Sequence, residues 1–170
     1  MNIQAIVYTS NAGHTQQYAI MLGDRLSCPV YALKDAEKQL PRGADILYLG
    51  WLYASHVKGY PRAAKRFSVR AVCAVGLCDT GTLTNEVRKA TAIPSEIPLF
   101  TLQGGLDRTR LRGVNRLMIA MLTKGLSAQT QRSAQDERML TLLTQDASYV
   151  SEENLRDVLA LLERAGGENG

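Results

Sequence analysis

The chain has 170 residues, 45% of them hydrophobic and 21% charged, which is enough for one complete core and short for two. A single domain is expected, and no uninterrupted run of about 18 apolar residues offers a membrane span. The net charge of +4 comes from 20 basic and 16 acidic residues. Three cysteines, Cys28, Cys73 and Cys78, form neither a C-x-x-C pair nor a metal cluster, and two histidines, His14 and His56, are too few for a histidine-rich metal site. The opening residues Met1-Asn2-Ile3-Gln4 lead directly into a strand pattern rather than a charged-then-apolar leader, so a soluble, cytoplasmic protein is expected.

Strand patterns fall at Ile3–Tyr8, Pro29–Leu33, Asp45–Gly50, Ala71–Leu77 and Ile97–Gln103. They are short and apolar nearly throughout, as in a sheet covered on both faces. Helical patterns lie between them. Thr15–Leu26 carries Tyr18, Ala19, Leu22 and Leu26 on one stripe, and Tyr60–Ser68 sets Ala63, Ala64 and Phe67 behind Pro61. Thr82–Thr91 is a weaker helix. A last one follows Ser151, with Glu152 and Glu153 matching its dipole and Leu155, Val158, Leu159 and Leu162 on its stripe, and Gly166-Gly167 ends it. Strand and helix alternating in this way imply a doubly wound α/β fold with a parallel sheet. For five strands the order 2-1-3-4-5 is the economical choice. That order opens a crevice at the carboxyl ends of the first and third strands, where the chain reverses direction.

About 45 residues, from Gly104 to Ser148, separate the fifth strand from the last helix, far more than an ordinary connection. This insertion, about residues 104–148, has helical character of its own. Val114, Leu117, Met118, Met121 and Leu122 make one apolar stripe, with Arg112 and Arg116 on the opposite side, and Met139, Leu140, Leu142 and Leu143 make a second, shorter pattern. Between Gly104 and Leu126, five cations (Arg108, Arg110, Arg112, Arg116 and Lys124) face one carboxylate, Asp107. The local excess equals that of the whole chain, so an acidic or anionic partner meets this segment first.

Ser10-Asn11-Ala12-Gly13-His14-Thr15 joins the first strand to the first helix. Unpaired N–H groups and the dipole of a helix start favour an anion, with Ser10, Asn11, His14 and Thr15 as side-chain donors and Ala12 and Gly13 allowing close approach. The spacing is neither a Walker A loop nor the three-glycine dinucleotide fingerprint. A plain helix start capped by Ser or Thr would read the same way. Gly50-Trp51-Leu52-Tyr53-Ala54-Ser55-His56 and Gly76-Leu77-Cys78-Asp79-Thr80-Gly81 should converge on the same crevice.

Ser10-x-x-Gly13-x-Thr15 resembles the phosphate-loop signature of flavodoxins, with Ala12 in place of their usual middle threonine. Gly104-Gly105-Leu106-Asp107, with Arg112, Arg116 and Met118-Ile119, is similar to the segment after strand five in small bacterial flavodoxin-domain proteins related to menaquinone-dependent protoporphyrinogen oxidase. The resemblance implies a flavodoxin-like three-layer sandwich that binds FMN without a covalent bond. Ser10, Asn11, Ala12, Gly13, His14 and Thr15 would hold the phosphate. Trp51, Leu52 and Tyr53 would flank one face of the ring, and Leu77, Cys78, Asp79 and Gly81 would line its other side and pyrimidine edge. Flavodoxins carry a glycine in the second loop that eases a peptide flip on reduction; residues 51–55 contain none.

The implied activity is an FMN-dependent oxidoreductase that oxidises a porphyrinogen-type substrate and passes electrons to a quinone or another acceptor, with no catalytic side chain of its own. Arg108, Arg110, Arg112 and Arg116 would contact an anionic substrate, an anionic membrane surface or an acidic redox protein. A flavodoxin shuttling electrons between proteins is the second reading, although such carriers are typically acidic. A flavin-free binding domain is the third. The receiver-domain form of that third reading lacks the clustered carboxylates it needs at Thr9-Ser10-Asn11 and Gly50-Trp51-Leu52. Arginines without a recognition motif give no reading as a nucleic-acid binder.

Overall fold

The computed structural model describes residues 2–107, 109–110 and 113–167, with only the backbone of 114–115 and 165–167. The elements run β1 (Ala5–Thr9), α1 (His14–Leu26), β2 (Val30–Ala32), α2 (Leu33–Gln39), β3 (Asp45–Tyr53), β4 (His56–Val57), α3 (Tyr60–Arg66), β5 (Ser68–Gly76), α4 (Thr84–Thr91), β6 (Leu99–Gln103), β7 (Gly105–Leu106), α5 (Gly113–Ser127), α6 (Ala134–Thr144), β8 (Ala147–Ser148) and α7 (Arg156–Gly167). The main sheet is parallel in the order β2-β1-β3-β5-β6, and β4 folds back antiparallel onto β3. Counting the five parallel strands alone, this is the expected 2-1-3-4-5.

Alternate strand residues divide the core in two, because successive side chains leave a strand on opposite faces. Ala5, Val7, Ile46, Tyr48, Val72 and Ala74 pack with Leu33 and Ala36 of α2, Tyr60 and Ala63 of α3 and Val87 of α4. Ile6, Leu47, Leu49, Ala71 and Cys73 pack with Tyr18, Ala19 and Leu22 of α1 and Val158 and Leu162 of α7. Helices on both faces explain the unbroken apolar strands. The result is a flavodoxin-like three-layer sandwich with a helical insertion after its fifth parallel strand.

Several local expectations are corrected. Helix α2 occupies what reads as strand end and loop. Its seven residues, Leu33-Lys-Asp-Ala-Glu-Lys-Gln39, are mostly good helix formers, yet they span too few turns to establish a period. Strand β5 begins at Ser68 rather than Ala71, because a register shift between Ile46 and Leu47 leaves Arg70 as an extra residue opposite them. That bulge aims Arg70 outward, where its Nε lies 2.9 Å from Asp45 Oδ1, and so interrupts the apolar run. Strand β3 runs past Gly50 to Tyr53, which makes Trp51, Leu52 and Tyr53 strand residues and not a loop. The chain reverses at Ala54 (φ 46°) and Ser55 (φ 63°), a hairpin turn in left-handed conformation without the usual Asn-Gly signal. Ser151 does not cap with its side chain, and the segment starts as a 3₁₀ turn over Glu152–Leu155. A full capping box lies instead at Ser133 and Asp136, ahead of α6.

The insertion is clipped at its root. Strands β7 and β8 pair through Gly105↔Ser148 and Leu106↔Ala147, and the Tyr149 N–H donates to the Gly104 carbonyl at 2.7 Å. Helices α5 and α6 therefore leave and return at one point beside the end of β6. Among the described residues, no helix is long and apolar enough to cross a membrane.

Candidate functional site

Helix α1 begins without a side-chain cap. Gly13 takes the N-cap position at φ 98°, a left-handed conformation that favours glycine, and donates its N–H to Ser10 Oγ at 3.1 Å. The first bond of the helix runs from the Gln17 N–H to the Gly13 carbonyl at 3.0 Å, which leaves the N–H groups of His14, Thr15 and Gln16 without intrahelical acceptors. A plain helix start capped by Ser or Thr is thus not what this loop forms. Thr15 is 1% exposed, and its hydroxyl makes no hydrogen bond among the described residues. It lines a cleft at the carboxyl ends of β1, β3 and β5.

That cleft measures about 360 Å³, within the roughly 300–1,000 Å³ of small-molecule sites. Asn11, Ala12, His14 and Thr15 form its floor. Trp51, Leu52 and Ser55 form one wall, and Val75, Gly76, Leu77, Cys78, Leu83 and Val87 the other. Met118, Ile119, Leu122 and Leu126 of α5, with Met139 and Leu143 of α6, cover it. The insertion is therefore the roof of the cleft. The sequence shows these roof residues only as an apolar stripe. A usable signal was that α5 is apolar on more than one face: Leu117 and Met121 are 62% and 66% exposed while Met118 and Leu122 reach the cleft.

Glycines let the roof close down. A Cβ on Gly105 would fall 2.1 Å from the Ala147 carbonyl oxygen and 3.0 Å from His14 Nε2, and one on Gly104 would fall 2.7 Å from Val75 Cγ1. The Gly104-Gly105 pair thus admits both the β8 backbone and the His14 ring. Burial lowers the His14 pKa below the usual histidine value; Asp107 opposes that shift and Arg110 reinforces it. Burial, followed by the charge of Asp79, raises the Cys78 thiol, so Cys78 is a wall residue and not an activated nucleophile.

Of the residues singled out from the sequence, Asn11, Ala12, His14, Thr15, Trp51, Leu52, Leu77 and Cys78 meet in the cleft. Ser10 and Gly13 shape the loop beneath it. Tyr53 stands outside, stacked edge-on against Trp51 at 5.9 Å, beneath the Lys58 ammonium and beside Leu117 and Met121 in a second groove. Asp79 points away to α6, where its carboxylate pairs with Arg138 at 3.1 Å. Gly81 (φ 82°) donates its N–H to Thr101 and serves the turn. Arg110 lies against the first loop, its Nη1 donating to the Ala12 carbonyl at 3.2 Å. Arg116 lines a polar groove with Thr109, Thr123, Lys124 and Asp146. Arg108 and Arg112 lie outside the described residues.

Fold and cleft together define an α/β protein with a roofed, largely apolar cleft at the switch point of its sheet. Comparison of the chain with protein-family models, with curated proteins and with solved structures yields no match.

Proposed function

We propose that the cleft binds FMN non-covalently and that the protein is a flavodoxin-like oxidoreductase. The observation that carries this reading is the Thr15 hydroxyl, on a side chain almost wholly packed away yet open to the cleft and without a hydrogen bond among the described residues, beside the uncapped start of α1 and across from Trp51. A phosphate oxygen in the cleft would accept from this hydroxyl together with the N–H groups of the first turn. Trp51 offers a flat aromatic wall to a ring system, and the Leu77, Met118 and Leu122 side chains exclude water from it. Bound flavin supplies the electron-transfer chemistry that these side chains lack. What the chain contributes is binding, orientation and a dry surround that sets the potential.

The roof bears on the partner. Leu117, Met121 and Leu122 are 62%, 66% and 49% exposed on α5, with Arg116 and Lys124 on the same helix. An apolar crest with basic neighbours beside a redox cleft supports an apolar acceptor such as a quinone, reached at an anionic membrane surface. A porphyrinogen-type donor remains the substrate that the sequence resemblance suggests. Mixing the flavin-free protein with FMN should quench flavin fluorescence to saturation, and the loaded protein should oxidise a porphyrinogen when a quinone is present. Absence of quenching refutes the cofactor; quenching without porphyrinogen oxidation refutes the substrate.

A further inference from the structure

Arg110 sits at a helix end where positive charge is unfavourable. Its Nη1 donates to the Ala12 carbonyl at 3.2 Å and would be 2.9 Å from a Cβ on Gly13, so the guanidinium rests on the amino end of α1. That end carries the positive pole of the helix dipole, which repels a cation. His14, the first residue of the helix, senses the same charge. Asp107 compensates in part: its Oδ2 lies 3.1 Å from Arg110 Nε, but its Oδ1 is engaged by the N–H of Thr109 at 3.0 Å and by the Thr109 hydroxyl. The carboxylate thus holds one edge of the guanidinium and turns the other toward the loop, where the Thr15 hydroxyl has no partner among the described residues. A helix start, a guanidinium held at Ala12 and Gly13 and a cleft-facing Thr15 hydroxyl without a hydrogen bond among the described residues lie on one short loop, a combination suited to a dianion.

We propose that Arg110 is a phosphate clamp: it closes on the terminal phosphate of the flavin nucleotide opposite the α1 amino end, so that the insertion itself grips the cofactor and selects FMN over riboflavin. This inference rests on the flavin reading for its ligand, but not for its chemistry, since any phosphate monoester presents the same charge. Because Arg110 stands between β7 and α5, phosphate held there also fixes the root of the roof over the cleft.

The test compares wild type, Arg110→Gln and Arg110→Lys in titrations with FMN and with riboflavin. Arg110 is 62% exposed and its ion pair is a surface one, so the variants should fold. Arg110→Gln should weaken FMN roughly 10- to 100-fold, the usual loss for a hydrogen bond to a charged group, and leave riboflavin within about threefold. Arg110→Lys should lose less FMN affinity than the glutamine variant because it keeps the charge. An unchanged ratio of FMN to riboflavin affinity in Arg110→Gln overturns the clamp, whether both affinities fall or neither does. A second measurement is independent of flavin: inorganic phosphate should raise the melting temperature of the flavin-free wild type but not of Arg110→Gln. If wild type binds neither flavin, the FMN reading fails and this phosphate measurement still decides the clamp. A shift confined to wild type upholds it for another phosphate monoester; no shift, or an equal shift in both proteins, overturns it.

Discussion

Replacing Thr15 with valine keeps the shape of the side chain and removes only the hydroxyl, which separates a ligand contact from a structural one. Thr15 is 1% exposed, and its hydroxyl, which reaches the cleft, bonds to nothing among the described residues. Exchanging it for a methyl group should leave stability unchanged or raise it by up to about 1 kcal/mol, because no hydrogen bond among the described residues is lost and the new methyl group adds apolar area to the cleft wall. Toward FMN the expectation reverses. A hydrogen bond to a charged group contributes about 1.5–3 kcal/mol, so Thr15→Val should weaken FMN about 10- to 150-fold. Quenching of FMN fluorescence gives the affinity, and urea unfolding of the flavin-free protein gives the stability. Unchanged FMN affinity, or a stability loss above about 1 kcal/mol, would refute the assignment and make Thr15 an ordinary core residue.

Other expectations bear on the roof and the loop. Gly105→Ala drives a methyl group to 2.1 Å from the Ala147 carbonyl oxygen and 3.0 Å from His14 Nε2; it should cost roughly 1–3 kcal/mol, read as a lower melting temperature, and weaken FMN through a loosened roof. Leu117→Ser with Met121→Ser alters side chains that are 62% and 66% exposed; stability should stay within about 0.5 kcal/mol and FMN binding should persist, while association with anionic vesicles falls. His14 is held below its usual pKa of 6.5, chiefly by burial, so the unfolded chain takes up this proton first as pH falls. Its contribution to stability is complete above about pH 6.5 and declines from there toward the lower folded-state pKa. His14→Gln should flatten the dependence of unfolding free energy between about pH 7.5 and about pH 5.5, and an unchanged slope would assign it to other groups.

The layers of the fold were legible because each helix and strand long enough to show a period is amphipathic or wholly buried. Strand order followed from the alternation of the elements, and the insertion from its length. Misread elements have physical reasons: α2 is seven residues long, Arg70 occupies a bulge, and the Ala54-Ser55 turn adopts left-handed angles without glycine. At the cleft, the position of the first loop was legible because its residues are contiguous in sequence and follow the first strand. The roof was not, since Met118, Leu122, Met139 and Leu143 acquire a role only when the β7–β8 clip folds the insertion back over the cleft. For the same reason Arg110, 98 positions from Ala12, reads as a partner-facing arginine until the clip brings it to the loop.

The most direct test of the central claim is the flavin content of the purified protein and its capacity to be reloaded. A yellow protein carrying one FMN per chain, released by denaturation and rebound by the refolded chain with quenching of flavin fluorescence, is the expected result. A colourless protein that leaves FMN fluorescence unquenched on mixing would contradict it.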